Sequence, residues 1–160
     1  MSKRLFAAPR RSGTSIVVAC ALFIVFVSMG AFALLRREPV RIDPEDRQQV
    51  TLGKRLYRTA CASCHGANLE GQPDWQRRLA NGRLPAPPHD SGGHTWHHSD
   101  AFLIRVTKLG PAAYPAGYQT DMPAFEGVLT DREIAAILAY IKSEWPADIR
   151  SRQNRLNAEQ

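Results

Sequence analysis

The stretch RTACASCHG, residues 58–66, decides how the rest of the chain is read. Cys61 and Cys64 stand two residues apart and His65 follows at once, so three strong ligating or nucleophilic groups fall within five positions. The third cysteine, Cys20, lies far away in an apolar run, which leaves no set of pairs from which a disulfide framework could be built. Three chemistries use such a spacing. A dithiol redox pair would sit in a βαβ context, and no strand pattern surrounds the motif. Half of a zinc site would need a second ligand pair, for which His94, His97 and His98 are the only local source. In the third reading, C-x-x-C-H at the end of a helix is the attachment signature of a c-type haem. The two thiols add across the vinyl groups as thioethers, and the next residue presents its imidazole to the iron.

The sequence before the motif supports a helix leading into it. Asp43 is placed as N-cap with Pro44 at the first helical position. Leu52, Gly53, Leu56 and Tyr57 then recur at helical spacing, and the helix is expected to run to about Ala60. Gly53 is a poor helix former, by about 1 kcal/mol relative to Ala, and its presence points to a second helix packed closely on bare backbone. After the motif, residues 66–98 are rich in Gly, Pro, Asn and Asp and show little periodicity. A loop of that length in a compact domain is usually functional. A second helix is expected from Ser99 or Asp100, with Phe102, Val106 and Leu109 on one face and a stop at Gly110-Pro111. A further loop covers 111–129. Thr130-Asp131-Arg132-Glu133 is a capping box, and it opens a third helix along Ile134, Ile137, Leu138, Ile141 and Trp145 that Pro146 terminates. Residues 147–160 read as a polar tail that frays. The fold class is therefore all-α, with a domain over 43–146 whose loops supply little core, so that a bound group is expected to fill its middle.

Length and charge bound the remainder. The chain has 160 residues and a formal charge of +6. That excess sits at the ends: Lys3, Arg4, Arg10 and Arg11 precede residue 14, and Arg150, Arg152 and Arg155 lie near the C-terminus. Between Asp43 and Asp148 there are 11 Lys and Arg against 13 Asp and Glu, a balance of −2. A mildly acidic core domain excludes a nucleic-acid reading. Residues 14–35 contain no charge and, as a helix, span about 33 Å, enough for a bilayer core. They are read as a single transmembrane anchor between a basic cytoplasmic segment (1–13) and a linker (36–42). The alternative is a signal segment ending at Ala31-Phe32-Ala33.

A low-spin haem that carries electrons needs a sixth ligand, and a thioether there raises the potential. Met1 is the start and Met29 lies in the apolar run, which leaves Met122 in TDMPAF. The other four histidines, His89, His94, His97 and His98, fall within ten residues. As an alternative they form a copper or zinc site, which would make this a haem protein of metal handling or sensing. Otherwise they bond backbone, haem carboxylates or water, with Trp96 packed at the haem edge and its indole N–H directed at a carboxylate.

The stretch 43–146 resembles a class I c-type cytochrome, in the helix with Gly53 and Tyr57, in CASCH after it, and in the closing helix ILAYIKS. The resemblance implies one covalently bound haem c on Cys61 and Cys64, with His65 and Met122 as axial ligands. It implies that Gly53 and Tyr57 pack crosswise on Ile137 and Tyr140. It also implies that a proline carbonyl, from Pro87 or Pro88, orients the His65 ring. By the same resemblance the chain is a one-electron carrier rather than an enzyme. Its haem domain would face the periplasm from the bacterial cytoplasmic membrane, and its partners would be redox proteins in or near that membrane. The loop 66–98 is longer and richer in histidine than in a compact member of the family.

Overall fold

The structure, a computed structural model, describes residues 40–159; the expected span at 14–35 lies outside them. No helix among the described residues is long and apolar enough to cross a membrane. All regular secondary structure among the described residues is helical. In order it forms α1 (Arg47–Ala60), α2 (Ala62–His65), a 3-10 turn (Thr95–His97), α3 (Asp100–Leu109), a second 3-10 turn (Gly110–Ala113), α4 (Asp131–Ser143) and α5 (Ala147–Ala158).

Helix α1 begins three residues later than the sequence suggests. Asp46, not Asp43, is the cap: its carboxylate accepts from Gln48 N and Gln49 N at 2.9 and 3.2 Å. Asp43 instead accepts from Glu45 N at 3.0 Å, and Asp46 N donates to Asp43 O at 3.2 Å. Pro44 thus occupies the second position of a tight turn, where its fixed φ serves equally well. Two Asx residues three apart offer the same local signal, and the turn between them decides which one caps.

Helix α4 forms the centre of the fold. Every residue from Ile134 to Lys142 is buried. Its start is the expected capping box, with Thr130 Oγ1 accepting from Glu133 N at 3.3 Å and Glu133 accepting from Thr130 N at 2.8 Å. Helix α1 crosses α4 at Gly53. A Cβ there would lie 1.8 Å from the Ala136 carbonyl oxygen and 3.0 Å from Ile137 N, so glycine is what permits the approach. One turn on, Tyr57 is fully buried, its ring edge-on to Tyr140 at 5.5 Å.

Helix α3 is capped by Ser99, whose hydroxyl accepts from Phe102 N at 3.3 Å. Its inward face is Leu103, Val106 and Thr107, while Phe102 and Leu109 are half-buried. The following loop folds back on it, with Phe125 N donating to Lys108 O at 3.0 Å.

The C-terminal segment, expected to fray, forms α5. Gln153 is wholly buried, and its amide donates to Asp100 Oδ1 at 2.6 Å and to His98 O at 3.2 Å. Asn157 Oδ1 accepts from Asp100 N at 2.8 Å. The Lys142 ammonium, whose side chain is 3% exposed, completes the network with bonds of 2.9 and 3.0 Å to the Asp100 carboxylate. A helix held by polar side chains on another element leaves little apolar periodicity in its own sequence, which is why that pattern gives no sign of it.

Candidate functional site

Within the motif, residues 62–65 form α2 and Cys61 is the capping residue shared with α1. Cys61 N donates to Tyr57 O at 2.8 Å and His65 N to Cys61 O at 2.9 Å, and Gly66, at φ +81°, ends the turn. Positions i, i+3 and i+4 of a helix share a face. Cys61, Cys64 and His65 therefore all line one cavity of about 380 Å³, closed elsewhere by the 66–98 loop, α3, the loop before α4, and α4 itself. The Tyr57 hydroxyl locks the end of this turn by donating to His65 O and Gly66 O at 3.3 and 3.1 Å. Burial, with Cys61 adding to it, holds that phenol well above its usual pKa, so it remains a donor. Burial also pushes the Cys61 thiol up to about 11, with Cys64 contributing. Neither Cys61 nor Cys64 is in a disulfide among the described residues.

Of the two candidate prolines, Pro87 meets the imidazole. Its carbonyl lies 2.8 Å from His65 Nδ1, and because a carbonyl can only accept, the proton belongs on Nδ1. Nε2 is left with its lone pair. Burial lowers the His65 pKa and the Pro87 carbonyl only partly opposes this, so the ring is held neutral. The Pro88 carbonyl is turned to the Thr95 hydroxyl, at 3.4 Å. Met122 is half-buried in the 111–129 loop and also lines the cavity, its N–H fixed on Thr120 Oγ1 at 3.1 Å. The groups singled out in sequence at positions 61, 64, 65 and 122 thus converge on one space.

The clustered histidines each stack on a different ring, and His94 and His98 also meet edge-on at 5.4 Å. His94 stacks on Trp75 (5.2 Å, 8°), His97 on Trp96 (3.6 Å, 27°), His98 on Phe102 (4.5 Å, 26°) and His89 on His65 (3.9 Å, 19°). Burial lowers the pKa of His94 and His98, and takes that of His89 well below the ordinary value. Among the described residues no group of three His, Cys, Asp or Glu side chains is placed to hold a metal ion. His89, His94 and His98 line the cavity, whereas His97 and Trp96 do not. The Trp96 ring stacks on His97, with the Arg152 guanidinium of α5 5.6 Å from its centroid, and its indole nitrogen is buried with no hydrogen-bond partner among the described residues. Sequence reasoning passed over Phe102, Tyr114 and Tyr118 as cavity residues; all three line it, and Tyr114 stacks on Tyr118 at 4.3 Å. A run of aromatic residues in a loop is a weak pointer when nothing says which way the loop folds.

The family model for cytochrome c matches residues 50–145. The chain belongs to the cytochrome c family. Membership implies haem and an electron-carrying role, and the site suits both: the cavity is mainly apolar, two thiols stand one helical turn apart on its wall, and the imidazole beside them has its tautomer set for ligation. The cytochrome is 33% identical over 95 residues to cytochrome c-555 of Prosthecochloris aestuarii, covering 58% of this chain and 84% of that one. It is 46% identical over 55 residues to the cytochrome bc1 complex cytochrome c subunit of Mycobacterium leprae, covering 33% of this chain and 19% of that protein. The match thus spans about a fifth of the Mycobacterium subunit. No solved structure gives a significant match to this cytochrome.

Proposed function

We propose that this cytochrome is a membrane-anchored one-electron carrier with a single haem c, attached through Cys61 and Cys64 and ligated by His65 and Met122. The observation that carries the reading is the convergence of these four side chains on one cavity, with His65 Nδ1 bonded to the Pro87 carbonyl at 2.8 Å. In attachment each S–H adds across one vinyl double bond. A carbon–sulfur bond forms, the hydrogen passes to the neighbouring carbon, and no electrons are gained or lost overall. The haem supplies the one-electron chemistry when bound. The chain's part is to hold the two ligands, exclude water with the apolar lining, and set the potential through ligand identity and burial. A hydrogen bond from a ligating imidazole to a carbonyl raises its basicity and fixes its orientation.

The uncharged run at 14–35 supports an anchor, with residues 1–13 inside and the haem domain on the outer, periplasmic face of a bacterial cytoplasmic membrane. Tethering raises the effective concentration of the carrier toward partners in the same membrane. The likeness to a subunit of a bc1 complex supports a partner in a membrane electron-transfer complex.

One set of measurements tests this. The oxidised protein is expected to show the near-infrared sulfur–iron charge-transfer band. Met122→Ala should abolish it and lower the potential, while His94, His97 and His98 changed together to Ala should leave it in place. Haem that extracts freely into acid–acetone would refute attachment. Release of the protein from membranes by a high-salt wash would refute the anchor.

A further inference from the structure

His89 is left without a role by the reading above, and its surroundings are unusually specific. Its backbone is tied at both ends: the N–H donates to Leu69 O at 2.7 Å and the carbonyl accepts from Trp145 Nε1 at 2.7 Å. Its ring lies nearly parallel to that of His65, with centroids 3.9 Å apart and planes 19° from each other. The Tyr57 ring stands against it edge-on, at 5.9 Å and 66°. Its Nδ1 is shut off from solvent and has no hydrogen-bond partner among the described residues. A buried polar atom with no partner is destabilising. An aliphatic side chain would fill the same volume without that cost, but it would not present a flat face to the neighbouring ring.

The constraint on His65 also shows what such a face can do. The bond from Nδ1 to Pro87 O restrains rotation of the imidazole about its Cβ–Cγ bond. A single hydrogen bond tolerates a range of angles, so the ring can still rock within the broad well that terminal torsions of this kind have. A second contact on the face removes that freedom. Tyr57 supports both parts, holding the His65 carbonyl with its hydroxyl and the His89 ring with its edge.

We propose that His89 is a positioning residue for the iron ligand: its ring, stacked on that of His65, sets the plane of the ligating imidazole. This rests on the reading of His65 as an axial ligand. The orientation of an axial imidazole governs how unpaired spin is distributed over a ferric haem, so it is legible in the order and spread of the haem methyl proton shifts.

The test uses the full-length holoprotein. His89→Phe keeps a flat ring and removes the polar atoms; His89→Leu fills the space without a flat face. Proton NMR of the ferric forms should give a Phe variant with the wild-type order of methyl shifts and a Leu variant with that order changed, while the near-infrared band and the covalent attachment stay as in wild type. A Leu variant with the wild-type order would overturn the proposal, as would a Phe variant whose order changes. Should the Leu protein fail to mature, the Phe variant decides alone: an altered methyl order rejects stacking, and a preserved one upholds it. The wild-type spectrum separates this from the assignment beneath it. Hyperfine-shifted imidazole protons that disappear in His65→Met show that His65 holds the iron, whereas their absence from wild type would remove that assignment itself.

Discussion

Replacing Gly53 by alanine should be among the most damaging small changes to this cytochrome. The added carbon would stand 1.8 Å from the Ala136 carbonyl oxygen, about 1.6 Å short of the 3.4 Å at which ordinary contact begins. The obstruction is backbone in the middle of a buried helix, so no side chain can swing aside and α1 and α4 must move apart. Opening a packed interface by 0.5–1 Å already forfeits roughly a quarter to a half of the attraction between facing atoms. Overpacking of this kind typically costs about 1–3 kcal/mol, and occasionally more; the buried crossing at Gly53 belongs at the upper end. Alanine returns about 1 kcal/mol of helix propensity. The net loss should be about 2 kcal/mol, a fall in melting temperature of roughly 8–16 °C for a domain of this size. Urea unfolding followed by Soret circular dichroism measures it, with the slope against denaturant expected to stay constant. Lys54→Ala, at the exposed neighbouring position, serves as the control. A Gly53→Ala protein as stable as wild type, or more so, would refute the crossing geometry and leave only the propensity gain.

Three further changes probe other parts of the argument. Asp100→Asn leaves the Lys142 ammonium buried beside a neutral amide and should cost about 3 kcal/mol, whereas Asp131→Asn, in the more exposed pair with Lys108, should cost less than about 1 kcal/mol; chemical denaturation of both ranks them. Tyr57→Phe removes the hydroxyl that bonds His65 O and Gly66 O and should lower stability by about 1–2 kcal/mol without loss of haem, measured by urea midpoint and haem content. Thr130→Ala should cost about 1 kcal/mol at neutral pH through the lost N-cap. Its partner Glu133 has its pKa depressed by the hydrogen bonds from Thr130, the backbone N–H first. That contribution is present above the ordinary carboxylate value and is lost as pH falls through the depressed one. The backbone bond survives in Thr130→Ala and only the hydroxyl's bond to the carboxylate goes, so the gap between wild type and variant should narrow by that smaller part in acid.

Short-range chemistry carried much of this protein in plain view. CASCH declares its own geometry, because i, i+3 and i+4 share a helical face whatever surrounds them. The capping box at Thr130 and Glu133 satisfies its hydrogen bonds within four residues. Gly53 announces a close approach because a glycine inside a helix is costly unless something needs the space. Met122 stands out because no other methionine lies beyond the apolar run.

What tertiary structure decided lies between residues far apart in the chain. Pro87 rather than Pro88 meets His65 across 22 positions, and adjacent prolines in an aperiodic loop give no local reason to prefer one. Asp43 and Asp46 are equivalent as caps until the intervening turn assigns one to itself. The four clustered histidines look like a ligand set in one dimension, yet the loop sends each ring to a different neighbour, and only His89 reaches His65. Helix α5 owes its order to Gln153 and Asn157 meeting Asp100, a contact across more than 50 residues. The sequence by itself determined the pieces whose forces act within one helical turn. Which distant polar groups would find one another depended on the folded chain, because a hydrogen bond in an aperiodic segment leaves no period to read.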